Sequence, residues 1–377
     1  MSGSVRLLND SREKLYMKVL HVSHNFYPVT GGIEKNIGDI CRGMSELGHQ
    51  SDVLCLKERG MPEHEVHNGI NIYRKGALDL RFYKISPRIL GIIKEYDIVH
   101  VHGLGFFSDY LAVTKKIHKK PLVLSTHGGI FHTKSLSWAK RPYFYLWSRL
   151  ALRAFDRIVA VSRSDMELFS GITDKMTFIP DSVDHGKFSS IKRDAEKGIF
   201  IFVGRMSKNK RIDRLIRAFS VVNISAKGSM LFIIGEDWDN QKGMLSSLAK
   251  ELGIDRNVVF TGRIDNGNLT QFFKRAPFFL SASEYEGFGI SVLEAMAAGI
   301  PVIVNDIDAF NTFVEDGRSG FIIDYSKPHE AGRKILGIMG RDDLQLISAT
   351  AKEVSKEYDY KSAAKKLEIL YNDVMTS

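Results

Sequence analysis

Cysteine is nearly absent from this chain, and so are long hydrophobic runs. The 377 residues include 2 cysteines, Cys41 and Cys55, in stretches that read as helix and strand. A disulfide framework and a thiolate metal site are therefore excluded, and the compartment is expected to be reducing and cytoplasmic. No run of about 18 uncharged apolar residues occurs, which rules out a spanning helix on length. Residues 1–16 lack the apolar core of a secretory signal and read as an N-terminal extension. Proline is scarce, at 9 residues, and with 44% hydrophobic and 26% charged residues little room is left for disorder. The glycine fingerprint of a dinucleotide site is missing as well. After the first apolar run the chain reads HNFYPVTGGIEKNI, which disfavours a nicotinamide oxidoreductase. Acidic residues are outnumbered by basic ones, 44 against 53, giving a net charge of +9. Anionic partners such as nucleotide sugars, lipid phosphates or nucleic acid are expected, and charge alone does not choose among them.

From Met17 short β-branched runs (KVLHVS, SDVLCL, DIVHVHG, PLVLSTHG, RIVAVS) alternate with amphipathic stretches such as GIEKNIGDICRGMSELG. This is the pattern of parallel strands covered by helices on both faces. A second series begins near Gly198 with IFIFVG, MLFIIG, NVVFTG, PFFLSAS and PVIVND. Two doubly wound domains are predicted, joined by the polar, aperiodic stretch IPDSVDHGKFSSIKRDAEKG, which reads as a linker. In such sheets ligands bind beyond the carboxyl ends of the strands.

Several candidate residues lie at those ends. Gly31 and Gly32 sit where a loop enters a helix, open to an anion or simply forming a turn. His100 and His102 close one strand and His127 another; a zinc site from these three is rejected, because no carboxylate or cysteine completes a ligand spacing. Arg205, Lys208, Lys210 and Arg211 follow the FVG strand and suit a diphosphate, or form a solvated basic loop. The segment SASEYEGFGISVLEAMAAGIPVI is the most informative. Gly287 and Gly289 clear side chains from the loop where a helix beginning at Ile290 offers free N–H donors to a phosphate. Glu286 precedes that site, and Glu294 lies one helical turn after Ile290, placed to accept bonds from two ribose hydroxyls.

These motifs, with HVHG, STHGG, VSRSDME, FTGR and the E-x7-E element Glu286 to Glu294, resemble family 4 of the retaining GT-B glycosyltransferases over nearly the whole chain from Met17. The resemblance implies two Rossmann-like parallel-sheet domains facing across a cleft. Residues 17–185 would bind the acceptor and 186–358 the nucleotide sugar, and 359–377 would form a helix crossing back to the first domain. It implies that Arg205 and Lys210 neutralise the diphosphate, that Gly31, Gly32, Gly287, Phe288, Gly289 and Ile290 surround the donor, that Glu286 contacts its sugar and Glu294 its ribose. His127 matches the active-site histidine. No metal or other cofactor is implied. A narrower similarity, in STHGGIFHT, NKRIDRLI and the segment around Glu286, is to α-mannosyltransferases that use GDP-mannose to extend polyprenyl-diphosphate-linked sugars in exopolysaccharide assembly. A UDP-sugar donor, a nucleotide-sugar 2-epimerase on the same fold and a binding module without catalysis are the alternatives.

The expected partners are thus the nucleotide-sugar donor, a glycan or lipid-linked acceptor and an anionic membrane surface, with no nucleic acid. Membrane docking is expected through KSLSWAKRPYFYLWSRLALRAF, on the inner face of the cell membrane; the alternative is that its aromatics face the domain core and its cations are merely solvated, since Pro142 interrupts the helical period. The family's usual I-P-N-G-V-D reads IPDSVD here, and Arg211 replaces a glycine; both departures are expected to bear on loop geometry more than on chemistry.

Overall fold

The structure is a computed structural model that describes residues 16–29, 31–76, 78–79, 84–85, 89–127 and 149–376. The first sheet is built from β1 (Lys18–Val22), β2 (Gln50–Leu56), β3 (His64–His67), β4 (Ile70–Lys75), β5 (Ile98–His102), β6 (Leu122–Ser125), β7 (Arg157–Ala160) and β8 (Met176–Phe178). Their order is β8-β7-β6-β5-β1-β2-β4-β3, parallel except where β3 runs antiparallel to β4. Asn68 and Gly69 close that hairpin with φ of 50° and 79°, the left-handed pair a two-residue turn requires. Strands β1, β2 and β5 are almost wholly buried, as their uninterrupted apolar runs demand of a sheet with both faces covered.

The second sheet comprises β9 (Ile199–Val203), β10 (Met230–Ile234), β11 (Val258–Gly262), β12 (Phe278–Ser281), β13 (Val302–Asn305) and β14 (Phe321–Ile323), in the order β11-β10-β9-β12-β13-β14 and parallel throughout. In each sheet the strand order reverses once, between β1 and β5 in the first and between β9 and β12 in the second. Those switch points open a crevice at the carboxyl ends of the strands.

The helices used below are α1 (Gly32–Glu46), α2 (Arg163–Ser170), α3 (His185–Ser189), α4 (Ile212–Ser225), α5 (Ile290–Ala297), α6 (Leu344–Lys356) and α7 (Tyr360–Thr376). The last of these shares a core with Met17, Val19, Met44 and Val123 of the first domain. Gly43 of α1 permits the contact, since a Cβ there would stand 2.6 Å from Ala364 Cβ. Helix α6 instead packs on α5 in the second domain. The chain therefore crosses between domains near Val183 and again near Asp359, and the crossings are tied together: Val183 N–H donates to Tyr358 O at 2.9 Å and Tyr360 N–H to Val183 O at 3.1 Å.

The stretch read as a polar linker is packed rather than loose. Val183 and Phe188 are buried in the second core, and the Arg193 guanidinium donates to Gly299 O at 2.9 Å and Ala276 O at 2.6 Å. Its apolar residues are too widely spaced to form a period, which hid the short helix α3. The aromatic and basic segment expected to dock on a membrane lies, up to Ser148, outside the described residues.

Candidate active site

Between the domains lies a cleft of about 2520 Å³, lined from one side by α1, the end of β5 and the loops after β1 and β6, and from the other by the loops after β9 and β12. A pocket for one small ligand is typically about 300–1,000 Å³, so this volume admits a nucleotide sugar together with an acceptor.

The loop after β9 carries Arg205 and Lys210. Asn209 anchors that loop to its neighbour: its side chain donates to Tyr285 O at 3.0 Å, and its carbonyl accepts from Glu284 N at 2.8 Å. The anchoring sets Lys210 Nζ 2.5 Å from both carboxylate oxygens of Glu286, which also accepts from Ser283 Oγ at 2.8 Å. The guanidinium of Arg205 lies 4.6 Å from the Trp238 ring centroid, in cation–π range. Lys208 also lines the cleft. Arg211 is turned away, paired with Asp213 and Glu284, so of the four cations it is the one engaged elsewhere. Its φ of 46° lies in the left-handed region that favours glycine.

Helix α5 opens toward the cleft behind Gly289, whose φ is 105°. A Cβ on Gly289 would meet the Phe310 ring at 2.7 Å, so both conformation and space call for glycine. Phe288 is buried against Phe313 and Tyr358, which leaves its backbone as the part nearest a ligand. Gly32, opening α1 on the facing domain, lies close to α5: a Cβ on it would stand 3.6 Å from Ile290 Cδ1, in ordinary van der Waals contact. One on Gly31 would lie 3.8 Å from the guanidinium carbon of Arg205. Gly287 backs onto the His127 carbonyl, 3.6 Å from where its Cβ would be. Glu294 is 3% exposed and ion-paired with Lys35 of α1, a partner that sequence reasoning missed.

His127 lies two residues beyond the end of β6 in a left-handed conformation, φ 46°, of the kind that costs a non-glycine residue energy and gathers at functional sites. Its Nε2 is 3.0 Å from His102 Nδ1, and His102 Nε2 is 3.0 Å from His21 Nδ1. Nδ1 of His127 stands 3.3 Å from Asp181 Oδ1, at ion-pair range rather than in a hydrogen bond. Asp181 is the residue that replaces asparagine in I-P-N-G-V-D, so this departure touches the chemistry of the site and not only its loop geometry. Asn36 of α1 fixes it, donating to Asp181 Oδ1 at 2.7 Å while accepting from Ser182 N–H and Oγ–H. Burial opposes charging His127, but Asp181, Asp165 and Glu34 outweigh it, and the ring titrates above its ordinary range. Burial holds His21 down at about 3, and His100 and His102 well below the ordinary value. Ligand atoms of His21, His100 and His102 come within 4.8 Å of one another. Yet His100 is engaged on both nitrogens, by Tyr371 OH at 2.6 Å and Ser125 Oγ at 2.8 Å, so a cation there would have to displace existing bonds.

Two parallel-sheet domains with a cationic, glycine-lined cleft at both switch points define a GT-B glycosyltransferase architecture. Two family models match: Glycosyltransferase Family 4 over residues 30–187 and Glycosyl transferases group 1 over residues 186–369. The GDP-mannose:cellobiosyl-diphosphopolyprenol alpha-mannosyltransferase of Xanthomonas campestris is 30% identical over 92% of this chain and 94% of its own. Its namesake from Komagataeibacter xylinus is 27% identical over 95% and 94%. The chain belongs to this glycosyltransferase family and is a hexosyltransferase. Among solved structures, sucrose-phosphate synthase from Thermosynechococcus elongatus superposes with a TM-score of 0.80 at 16% identity, covering 95% of this chain and 99% of the other. HepE of Anabaena in complex with UDP-glucose gives 0.77 at 17%, covering 95% and 100%. At these identities the likeness is one of fold.

Proposed function

We propose that this enzyme transfers mannose from GDP-mannose, with retention of configuration, to a glycan carried on a polyprenyl diphosphate. The observation that carries the reading is the meeting of Arg205, Lys210, Glu286 and the amino end of α5 at one cleft wall, opposite His102, which ends β5, and His127, just beyond β6. The donor and acceptor follow the curated relatives, which are named for them. Arg205, Lys210 and the α5 dipole would take up the charge that develops on the departing diphosphate, work a divalent cation does elsewhere, so no metal is required. Glu294 would hold the ribose, and Glu286 the transferred sugar. The bond from the anomeric carbon to the β-phosphate oxygen breaks, the bond to the acceptor oxygen forms on the same face, and the acceptor proton passes to the departing β-phosphate.

Among the described residues no helix is long and apolar enough to cross a membrane. A lipid-linked acceptor would be met by docking of the first domain, from the cytoplasm, on an anionic membrane surface. Exposed Val113 and Ile117 lie on that domain in the same stretch of chain as Lys116, Lys119 and Lys120.

The deciding assay supplies polyprenyl-diphosphate-linked cellobiose with GDP-mannose or, separately, UDP-glucose. Acceptor-dependent mannosylation from GDP-mannose supports the proposal. Transfer only from UDP-glucose would replace the donor, and epimerised sugar formed without acceptor would replace the reaction.

A further inference from the structure

The registers β1–β5 and β5–β6 set His21 beside His100 and His102 beside Ser125. Parallel pairing thus collects imidazoles from strands far apart in sequence at the first switch point, directly behind His127. All three rings behind it are buried.

We propose that His102 and His21 are positioning residues for His127: the three rings form one hydrogen-bonded chain, His21–His102–His127, whose far end faces Asp181 at ion-pair range, and the chain fixes the tautomer and ring plane of His127 and moves a proton's place along it. The inference rests on the reading of His127 as an active-site residue.

The chain has two consistent states. In the first, His21 Nδ1–H donates to His102 Nε2, His102 Nδ1–H donates to His127 Nε2, and His127 keeps its own proton on Nδ1, facing Asp181. The three rings then hold three protons and are neutral. His21 Nε2, which has no hydrogen-bond partner, is left as a bare lone pair, a cheaper orphan than a buried N–H donor. In the second state His127 gains a proton on Nε2 and donates it to His102 Nδ1. His102 then donates from Nε2 to His21 Nδ1, and the proton of His21 moves to Nε2. Four protons are present, and the single positive charge rests on His127 beside Asp181.

The groups around each ring favour that placement. His127 is faced by Asp181, Asp165 of α2 and Glu34 of α1. His102 is faced only by the other histidines, and His21 by Asp52 from β2. His100, held by Tyr371 of α7 and Ser125 of β6, stands beside the chain without joining it. Charging His102 would put an unpaired cation in the sheet interior, and at His21 burial outweighs the attraction of Asp52.

The test uses the full chain labelled with ¹⁵N-histidine, read by ¹⁵N–¹H correlation across pH 5 to 9, alongside the pH profile of kcat with GDP-mannose. In wild type, His127 is expected to be protonated on Nδ1 when neutral and to titrate alone, above His21 and His102. His102→Phe should move the His127 titration and the matching limb of the kcat profile, and lower kcat about tenfold with KM for the donor nearly unchanged. His102→Asn, whose amide N–H replaces the Nδ1–H donor, should restore the tautomer and most of kcat. Asp181→Asn should lower the His127 titration point. If His102→Phe does not fold, His102→Asn and Asp181→Asn carry the test. Unchanged His127 signals in every folded variant would overturn the proposal, as would stoichiometric zinc in the purified protein that is lost on His21→Phe. A shifted titration without any change in kcat would keep the chain and reject the catalytic role of His127 instead.

Discussion

Lys35, on helix α1 of the first domain, holds Oε1 of Glu294 across the cleft, occupying one of the two acceptor oxygens proposed to bind a ribose. The nucleotide must therefore displace an interdomain ion pair before both oxygens of Glu294 are available. Lys35→Met is expected to tighten binding of free GDP several-fold, as a competitor is lost. Calorimetry reads the sign directly. Weaker binding would mean that Lys35 itself contacts the nucleotide.

Lys210 and Glu286 touch, so their contributions are expected to be coupled. Lys210→Ala should lower kcat about a hundredfold, on the order of 3 kcal/mol of lost charge stabilisation. Combining it with Glu286→Gln should cost less than the two losses added, because each change already disrupts the pair. Strict additivity in a double-mutant cycle would show that they act separately.

Gly289→Ala and Gly48→Ala make a controlled comparison. Both positions have left-handed φ, 105° and 90°, but a Cβ meets the Phe310 ring at Gly289 and nothing within 4 Å at Gly48. The backbone term of about 1–2 kcal/mol is common to both. Gly289→Ala should lose a further ~1–3 kcal/mol from overpacking. Equal shifts in denaturant midpoint would deny the ring contact.

Acid should destabilise the fold from about pH 6.5 downward. His21 has its folded value lowered to about 3 against an ordinary 6.5, so between those limits the unfolded chain binds a proton the folded one refuses. His100 and His102 are shifted in the same direction. Each contributes a slope of about 1.4 kcal/mol per pH unit. Asp39 opposes them: burial raises its carboxyl to about 6, so the folded state gains a proton first. His127 acts on the other side, its contribution fading as pH rises through its raised folded value. Urea melts between pH 7 and 5 should show a steep fall; a flat profile would mean the buried histidines are charged or solvated.

Flotation on vesicles containing anionic lipid tests the membrane reading. Ile117→Glu, changing an exposed residue of the basic surface, should reduce flotation, as should high salt. No flotation of wild type at low salt would favour a water-soluble acceptor.

Strand runs such as KVLHVS, DIVHVHG and IFIFVG were legible because a buried parallel strand must be apolar on both faces. The E-x7-E segment was legible because glycine, helix start and glutamates lie close together in sequence. The hairpin of β3 and β4 went unread although Asn68-Gly69 marks it, since the flanking strands are half exposed and polar. The chain His21–His102–His127 was out of reach for another reason: spacings of 81 and 25 residues acquire meaning only through strand register. Lys35 and Asp181 were hidden likewise, each defined by a partner more than 50 positions away.

The two crossings between the domains, bonded to each other at Val183, Tyr358 and Tyr360, act as a hinge with one pin. Shear between the crossing segments would break those bonds, whereas bending about them need not. Removing the chain beyond Asp359 would then do more than shorten a tail: it would unpin the hinge and strip the first domain of Leu367, Leu370 and Tyr371 from its core.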